Sequence, residues 1–282
     1  MNNLKAALSG RIPEGLLYAI PRSFDIIGSK DRALAIIELP KALADYEKTL
    51  GETLMDLHKN IRTVLAKSSE RHEAYRIRDL RIIAGQPQTE ILHKEAGCSF
   101  RLDPTKVYFS PRESTERMRI AQMVRPDESV LVMFGGICPY SITIARKQPS
   151  VRVMSIEINP EAHAYCVQNI FLNKVHNQVK AVAGDVRQVC PSIQGEFHRV
   201  VMPLPKRAAD YLDVGIPCLM KDGVLHFYHW ANEADPFSEA EELVIAAAEQ
   251  HKRTVEIIGR SKVLPYGPRT WKVRLDARIQ FR

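Results

Sequence analysis

The stretch VLVMFGGICPYS, residues 130–141, carries two adjacent glycines, Gly135 and Gly136, after an apolar run. Glycines at the end of a strand let a ligand approach the backbone closely. Glu157 ends the next apolar run, where a carboxylate can accept hydrogen bonds from both hydroxyl groups of a ribose. Asp185, in AGDV, ends a third run and is placed to meet an adenine amino group. These residues predict a site for a cofactor that contains adenosine.

The elements that must position these residues begin near residue 128, where short apolar runs start to alternate with helical stretches. The predicted strands are SVLVMFGG, VRVMSIEI, VKAVAGD, RVVMPLP, GVLHFYHW, TVEIIG and WKVRLDARI, and the main helical stretches are NPEAHAYCVQNIFLNKV and PFSEAEELVIAAAEQHK. This alternation predicts an α/β fold with a doubly wound, mostly parallel sheet, whose ligands bind at the carboxyl ends of the strands. The last two strands leave no room for a helix between them, so we expect an antiparallel hairpin at one end of the sheet.

The absence of a third glycine helps to distinguish between two possible cofactors, a dinucleotide and S-adenosylmethionine. A dinucleotide needs its pyrophosphate cradled at the helix N-terminus, which favours the full G-x-G-x-x-G pattern. This chain has Cys138-Pro139 where that glycine would stand. S-adenosylmethionine has no phosphate and tolerates the proline, so the pattern favours it over a dinucleotide. Ordinary turn residues at strand ends are the remaining alternative.

The first hundred residues predict a small α+β domain. FDIIGSKDRALAIIELP indicates two short strands around a charged turn at residues 29–32, and TEILHKEAGCSFRLDP indicates a hairpin with its turn at residues 95–97. Pro40 is expected to open a helical stretch, KALADYEKTLGETLMDLHKNIRTVLAK. We therefore expect one domain over residues 1–103 and a second over residues 104–282.

The positive charge lies near the C-terminus. The chain has a formal net charge of +7, and its last 32 residues hold nine Lys and Arg against two Asp and Glu. A folded basic surface of this kind would attract a polyanion such as nucleic acid, although basic residues also serve solubility alone.

Composition bounds the location and excludes some classes of site. No run of residues is apolar and long enough to span a bilayer, and the N-terminus has no hydrophobic signal core, so we expect a cytoplasmic protein. The five cysteines are dispersed without a CxxC pair, which predicts small buried side chains rather than disulfides or a zinc site. His226 and His229 stand at i and i+3 on a predicted strand, so they should face opposite sides and share no metal.

Several ordered motifs then resemble one family. They are YFSPRESTERMRI, FGGICPYSI, SIEINPEAHAYCVQNIFLNKV, GDVRQV, VVMPLPKRAADYL and GVLHFYHW. Together they resemble the archaeal and eukaryotic tRNA (guanine-37-N1)-methyltransferases, from about residue 21 to the C-terminus. The resemblance implies a Rossmann-like class I methyltransferase domain that uses S-adenosylmethionine, after a small domain that contacts RNA. It also implies a monomer that binds the anticodon region of tRNA and needs neither metal nor membrane.

The resemblance also implies roles for two residues in methyl transfer to N1 of guanosine 37. Glu116, in STERMR, would remove the N1 proton, and an arginine some 40 residues earlier would stabilise charge on O6. Spacing favours Arg76 for this role, with Arg78 second. The alternatives are a salt-bridged glutamate on a helix surface and arginines that pair with nearby acids or touch phosphates only.

The resemblance extends to the residues that hold cofactor and RNA. The expected cofactor contacts are Arg112, Phe134, Gly135, Gly136, Glu157, Ile158, Asp185, Val186 and Pro203. The expected RNA contacts are Arg78, Lys206, Arg207 and Arg269.

One position departs from the family. Where the family usually has Asn-Leu-Pro after the fourth strand, this chain has Pro203-Leu204-Pro205, and proline has neither a side-chain amide nor an N–H. Three alternatives therefore stay open: transfer of an aminocarboxypropyl group to a wyosine precursor, methylation of carbon 7 of a wyosine intermediate, and RNA binding without catalysis. The SPRESTERMR motif and the Leu-Pro pair favour methyl transfer to N1.

Overall fold

The computed structural model describes residues 4–69, 77–204 and 206–281. The chain divides into two compact units, Met1–Pro111 and Arg112–Arg282. No helix among the described residues is both long and apolar enough to cross a membrane.

The first unit contains a four-stranded mixed sheet and a separate hairpin. Its strands are β1 (Asp25–Gly28), β2 (Ala33–Ile37), β3 (Ile61–Lys67), β4 (Leu80–Gly85), β5 (Ile91–Glu95) and β6 (Cys98–Leu102), and its helices are α1 (Leu4–Leu8) and α2 (Glu47–Leu57). The sheet order is β1-β2-β3-β4, with β2 and β3 parallel and the two outer pairs antiparallel. Strands β5 and β6 form the hairpin. The two strand pairs predicted in this region, β1–β2 and β5–β6, are confirmed.

The helix predicted after Pro40 ends earlier than expected. Residues Lys41–Tyr46 form a 3-10 helix, α2 follows, and IRTVLAK forms strand β3 instead of more helix. Strand β3 lies between β2 and β4, and Val64, Leu65 and Ala66 are fully buried in succession. A strand covered on both faces has a continuous apolar run, which periodicity cannot separate from a buried helix.

The first unit extends eight residues beyond the boundary expected after residue 103. The backbone N–H groups of Lys106 and Val107 both donate to the Asp103 carbonyl at 3.0 Å, which turns the chain back. The ring of Phe109 then packs against His93 at 5.0 Å and Phe100 at 6.1 Å between centroids. This aromatic packing on the β5–β6 hairpin ties the segment to the first unit.

The second unit is built on a seven-stranded sheet. Its strands are β7 (Ser129–Val132), β8 (Arg152–Glu157), β9 (Val179–Ala183), β10 (Phe197–Met202), β11 (Leu219–Asn232), β12 (Arg253–Gly267) and β13 (Thr270–Phe281). The order is β12-β13-β11-β10-β7-β8-β9, and only β13 runs opposite to the others. The predicted doubly wound, mostly parallel sheet with a C-terminal antiparallel hairpin is confirmed.

Helices cover both faces of this sheet. They are α3 (Ser114–Met123), α4 (Pro139–Lys147), α5 (Pro160–Leu172), α6 (Val186–Val189), α7 (Leu212–Gly215) and α8 (Ser238–Gln250). Helix α8 packs Ala240 and Val244 into a core that also holds Met202, Phe227 and Leu275 from the strands. The parallel pairing of β7 with β8 and of β8 with β9 places the carboxyl ends of these three strands at one edge, where the predicted cofactor residues lie.

Two cysteines form a disulfide, so the prediction of unpaired cysteines is wrong for them. Cys138, at the start of α4, is bonded to Cys166 in α5, with Cα atoms 4.9 Å apart and both residues buried. Both helices pack against β8, which brings together residues 28 positions apart in the chain. Cys98, Cys190 and Cys218 form no disulfide and are buried, as predicted.

Candidate active site

The loop after β7 runs close against β8. The N–H of Gly135 donates to the Ile156 carbonyl at 2.8 Å, and a Cβ at position 135 would collide with the hydroxyl of Ser155. Gly136 adopts a left-handed φ of 57°, and its N–H donates to Oε2 of Glu157 at 2.7 Å. The close backbone approach is therefore the reason that glycine is required at position 135.

Glu157 is fixed from two sides. Oε1 accepts the N–H of Asn159 at 2.7 Å, while Oε2 accepts the N–H of Gly136 in the loop after β7, here called the glycine loop. Burial raises the pKa of Glu157, and the backbone N–H groups of Asn159 and Gly136 partly offset that rise. The next residue, Ile158, exposes 49% of its surface beside this carboxylate. A fixed acceptor next to an open apolar side chain suits a nucleoside, with the ribose on the acid and the base on the isoleucine.

Asp185 lies at the neighbouring strand end. It is the N-cap of α6, and its Oδ1 accepts the N–H of Arg187 at 2.8 Å. The N–H of Gly184 donates to the Glu157 carbonyl at 2.9 Å, which links the ends of β8 and β9. Val186 is 3% exposed and packs in the core, so only its backbone is open to a ligand.

The loop after β10 borders the same edge of the sheet. Pro203 and Leu204 are partly buried, and Leu204 packs against the core. Phe134, with a left-handed φ of 57°, packs edge-on against Tyr211 at 5.0 Å between ring centroids. The expected cofactor residues of β7, β8, β9 and β10 thus follow strand ends that share one edge.

Glu116 lies in the first turn of α3 and is 8% exposed. Its Oε1 accepts the hydroxyl of Tyr228 at 2.6 Å and Nη2 of Arg119 at 2.8 Å. Its Oε2 accepts Nε of Arg119 at 2.9 Å, and Nε of Arg274 lies 3.5 Å from Oε1. Glu116 is therefore a buried carboxylate whose Oε1 accepts hydrogen bonds from Tyr228 and Arg119 and whose Oε2 accepts one from Arg119. It is not a glutamate on an open helix surface.

A second group of charged and polar residues contacts Arg119 and Arg274, the partners of Glu116. Asp276 accepts Nη1 of Arg119 at 3.1 Å and Nδ1 of His226 at 2.6 Å, and it is also paired with Arg274. His226 accepts Nη1 of Arg199 at its other nitrogen, Nε2, at 3.3 Å. Burial, followed by the charges of Arg199 and Arg119, holds the pKa of His226 well below its usual value. The imidazole is thus neutral, with Nδ1 as donor.

A buried lysine completes the cluster. Nζ of Lys272, which is 1% exposed, pairs with Oε2 of Glu113 at 2.8 Å and lies 4.6 Å from the ring centroid of Tyr228. Burial, with the nearby Tyr140 and Glu116, raises the pKa of Tyr228 well above its usual value. Tyr228 therefore stays protonated and donates its hydrogen bond to Glu116.

Sequence reasoning did not single out Arg119, Tyr228, Lys272, Arg274 or Asp276. One signal was available: WKVRLDARI places four charged residues, Lys272, Arg274, Asp276 and Arg278, at every second position of an otherwise apolar stretch. Alternate residues of a strand share one face, so these charges line one side of β13. Buried charges on this face require partners, which here include Glu113, Glu116 of α3 and His226 of β11.

The expected arginine positions are placed as follows. Arg76 lies outside the described residues. Arg78 is partly buried and pairs with Glu38 at 3.6 Å, and its Nε is buried without a partner among the described residues. Arg112 is exposed at the start of the second unit.

The remaining expected RNA contacts lie on the surface. Lys206 and Arg207 are exposed, and Arg207 pairs with Asp210 at 2.9 Å. Arg269 is exposed in the turn between β12 and β13.

The two histidines of β11 have separate surroundings. His226 is fully buried in the charged cluster, whereas His229 lies 3.5 Å from Glu239 of α8. Across residues 4–69, 77–204 and 206–281, no group of three or more His, Cys, Asp or Glu side chains is placed to hold a metal ion.

The sheet order and the residues at its strand ends define a class I methyltransferase fold. Residues 91–258 match the TRM5/TYW2 methyltransferase domain, and residues 4–89 match the TYW2 N-terminal domain. The chain belongs to the TRM5/TYW2 methyltransferase family.

Similar proteins include members that carry out different reactions. The tRNA (guanine(37)-N(1))-methyltransferase Trm5b of Pyrococcus abyssi is 39% identical over 96% of this chain and 78% of that protein, and its crystal structure superposes with a TM-score of 0.86. A complex of aTrm5 with tRNALeu has a TM-score of 0.84 at 30% identity, covering 98% of this chain and 77% of that one. The tRNA(Phe) (4-demethylwyosine(37)-C(7)) aminocarboxypropyltransferase of Pyrococcus horikoshii is 28% identical over 98% of this chain and 96% of that protein.

Proposed function

We propose that this protein transfers a methyl group from S-adenosylmethionine to N1 of guanosine 37 in tRNA. The observation that carries the proposal is the 39% identity to a tRNA (guanine(37)-N(1))-methyltransferase over 96% of this chain. Within the second unit, the buried carboxylate of Glu116 is a candidate for the general base that the reaction needs.

The residues at the carboxyl ends of β7, β8 and β9 fit S-adenosylmethionine. When bound, this cofactor supplies a methyl group activated by a sulfonium. Gly135 leaves the space that a Cβ would fill, Glu157 offers a fixed carboxylate, and Ile158 offers an exposed apolar side chain. Asp185 has one oxygen, Oδ1, committed to the helix cap and is proposed to meet the adenine amino group with the other. The further proposed contacts are Arg112, Phe134, Gly136, the backbone of Val186, and Pro203.

Glu116 is the proposed general base. Methylation at N1 requires that the N1 proton leave, and a carboxylate within hydrogen-bond reach can take it. Oε1 accepts hydrogen bonds from Tyr228 and Arg119, whereas Oε2 accepts one from Arg119. We therefore assign proton removal to Oε2 and anchoring to Oε1.

An arginine is proposed to stabilise the charge that develops on O6 of the guanine. Guanidinium keeps its charge and offers several donors, which suits this task. Arg76 is the first choice and Arg78 the second. The pair formed by Arg78 and Glu38 at 3.6 Å favours Arg76, because that carboxylate already engages Arg78.

RNA binding is proposed for the first unit and for four basic residues, Arg78, Lys206, Arg207 and Arg269. Exposure of Lys206, Arg207 and Arg269 supports contacts with phosphates. The loop at Pro203 offers the target base no side-chain amide, so the base must be held there by packing or by groups elsewhere. We also propose that the protein is a monomer located in the cytoplasm.

A second candidate is transfer of the aminocarboxypropyl group of the same cofactor to a wyosine precursor. Two observations favour it: residues 4–89 match the TYW2 N-terminal domain, and the aminocarboxypropyltransferase relative aligns over nearly its whole length. Both reactions use one cofactor and one nucleotide, so the mass of the product separates them.

The test incubates the protein with S-adenosylmethionine, labelled on the methyl group, and tRNA transcripts that carry guanosine or adenosine at position 37. Digestion and mass spectrometry then locate the modification. We expect N1-methylguanosine only with guanosine 37. Glu116→Gln should lower transfer by at least about 100-fold, because general-base catalysis contributes that much. Glu242→Gln, an exposed glutamate of α8, is the matched control and should keep full activity.

The outcomes separate the candidates. A methyl group on N1 that depends on Glu116 supports the proposal. A heavier aminocarboxypropyl adduct on a wyosine-precursor tRNA, without methylation of guanosine 37, replaces it with the second candidate. Full transfer by Glu116→Gln removes Glu116 from the mechanism while the reaction itself stands.

A further inference from the structure

One face of β11 carries a row of ring side chains that ends at the surface. His226, Tyr228 and Trp230 are alternate residues of the strand, so they share a face. His226 and Tyr228 are fully buried, while Trp230 is partly exposed. Trp230 is two residues from Tyr228, or about 7 Å along the strand, toward its carboxyl end. The row therefore leads outward from the tyrosine that holds Glu116.

Tyr266 continues this row onto the surface. Its ring centroid lies 4.0 Å from that of Trp230, and the residue is 54% exposed. Tyr266 lies near the carboxyl end of β12, which runs parallel to β11. It therefore lies at the edge of the sheet that also holds the glycine loop and Glu157. A tyrosine ring that rests on a tryptophan and stays half exposed leaves a flat aromatic surface open.

A basic side chain lies close to this aromatic pair in the chain. Arg269 is exposed in the turn that follows Tyr266, and its carbonyl accepts the N–H of the exposed Glu233 at 2.8 Å. Trp271 is less available, because the ammonium of Lys262 lies 5.1 Å from its ring centroid. An open ring beside positive charge matches the two parts of a nucleotide, a flat base and a phosphate.

We propose that Tyr266, backed by Trp230, is a stacking surface for one unpaired base of the RNA substrate. The inference rests on the proposed function in that the RNA is the anticodon loop, where bases next to the target are unpaired. Stacking on an aromatic ring tolerates any base, so this surface contributes affinity and placement rather than sequence choice. The stacked nucleotide would then sit beside the one presented to Glu116.

The chain offers a direct optical test, because it has only two tryptophans, Trp230 and Trp271. In Trp271→Phe, Trp230 is the sole tryptophan and reports on the aromatic pair. In the matched Trp230→Phe protein, Trp271 reports on the opposite face of the hairpin. Addition of an anticodon stem–loop RNA should reduce the fluorescence of Trp230 markedly and that of Trp271 little. Equal responses of the two tryptophans, or no response of Trp230 at saturation, would overturn the proposal.

Binding measurements give an independent test. Tyr266→Ala should weaken the dissociation constant for the stem–loop by about 10-fold, the size expected for one stacked base. Tyr266→Phe should bind as the wild type does, because stacking does not need the hydroxyl. Phe171→Ala removes another exposed aromatic ring, 62% exposed on α5, and should leave binding unchanged. Equal binding by Tyr266→Ala and wild type contradicts the proposal.

Failure of this inference can be told apart from failure of the proposed function. Suppose that the wild type methylates guanosine 37 while the fluorescence of Trp230 does not change and Tyr266→Ala binds the stem–loop as the wild type does. In that case only the proposal of a stacking surface is wrong. If Trp230 responds and Tyr266 matters while guanosine 37 is not methylated, the surface stands and the reaction is wrong.

Discussion

At the scale of single residues, the most informative feature is that the two carboxylate oxygens of Glu116 accept different numbers of hydrogen bonds. A carboxylate in a buried site must be hydrogen-bonded, and Tyr228 and Arg119 meet that need on Oε1. This arrangement leaves Oε2 as the oxygen with fewer donors. We therefore propose that Tyr228 is a positioning residue, which would act on the reaction through the orientation of Glu116.

Tyr228→Phe removes one hydrogen bond to a charged group without changing the ring. Such a bond contributes about 1.5–3 kcal/mol, so the single-turnover rate of methyl transfer should fall about 10-fold or more. The dissociation constants for cofactor and tRNA should stay unchanged, because Tyr228 is fully buried and its hydroxyl is bonded to Glu116. Rapid-quench kinetics and equilibrium binding measure the two quantities separately.

Two comparisons distinguish positioning from a general structural loss. Tyr165→Phe changes another buried tyrosine, in α5, and should keep the wild-type rate. In a Glu116→Gln protein, adding Tyr228→Phe should cause no further loss, because the group that it positions is absent. Additive losses in the double variant would show that Tyr228 acts independently of Glu116.

At the scale of elements, α4 and α5 are joined by the disulfide of Cys138 and Cys166. Cys138 follows the glycine loop directly, and α5 begins three residues after Glu157. The bond therefore joins the two helices that begin next to the proposed cofactor residues Gly136 and Glu157. Glycine at position 135 lets the backbone approach β8, and the disulfide holds the helix that follows.

Loss of this disulfide should destabilise the fold. A sequence separation of 28 residues corresponds to about 3–4 kcal/mol in the loop-entropy description. Cys166→Ala, measured by urea unfolding without reductant, should show a loss of that order. Reductant should destabilise the wild type similarly and leave Cys166→Ala unaffected.

Thiol counting provides the control for this prediction. Denatured, unreduced protein should bind alkylating reagent at three cysteines, because three of the five are free. Alkylation of all five would contradict the disulfide in the purified protein.

At the scale of the whole molecule, the buried charges of the second unit make stability depend on pH. His226 is neutral in the folded state because burial and two arginines hold its pKa well below 6.5. In the unfolded chain the same imidazole takes up a proton near pH 6.5. Its contribution to stability is therefore complete above pH 6.5 and is lost as the pH falls below that value.

The free energy of unfolding should then fall by about 1.4 kcal/mol per pH unit below 6.5 from this group alone. His226→Asn keeps a donor toward Asp276 and cannot take up that proton, so its stability should fall less steeply over this range. Urea unfolding between pH 5 and pH 8 measures both slopes. Above pH 7 the two curves should run parallel, and equal slopes at acidic pH would show that His226 is already charged when folded.

Local patterns in the sequence determined the fold class of the second unit and the positions of its strand ends. Strand VLV followed by Gly135-Gly136, and strands that end at Glu157 and Asp185, predicted both the doubly wound sheet and its functional edge. These signals are local, because a strand and the residue at its carboxyl end are neighbours in the chain. Strand β3 was misread because burial on both faces removes the alternation that identifies a strand.

Tertiary structure alone decided the environment of Glu116 and the pairing of Cys138. Tyr228 is 112 positions from Glu116, Asp276 is 157 positions from Arg119, and Cys166 is 28 positions from Cys138. Strand order and register bring such distant residues together, and these depend on the packing of the whole sheet. Sequence therefore named the strand-end residues at which the cofactor is proposed to bind, whereas the fold selected the partners that bury, neutralise and orient the carboxylate of Glu116.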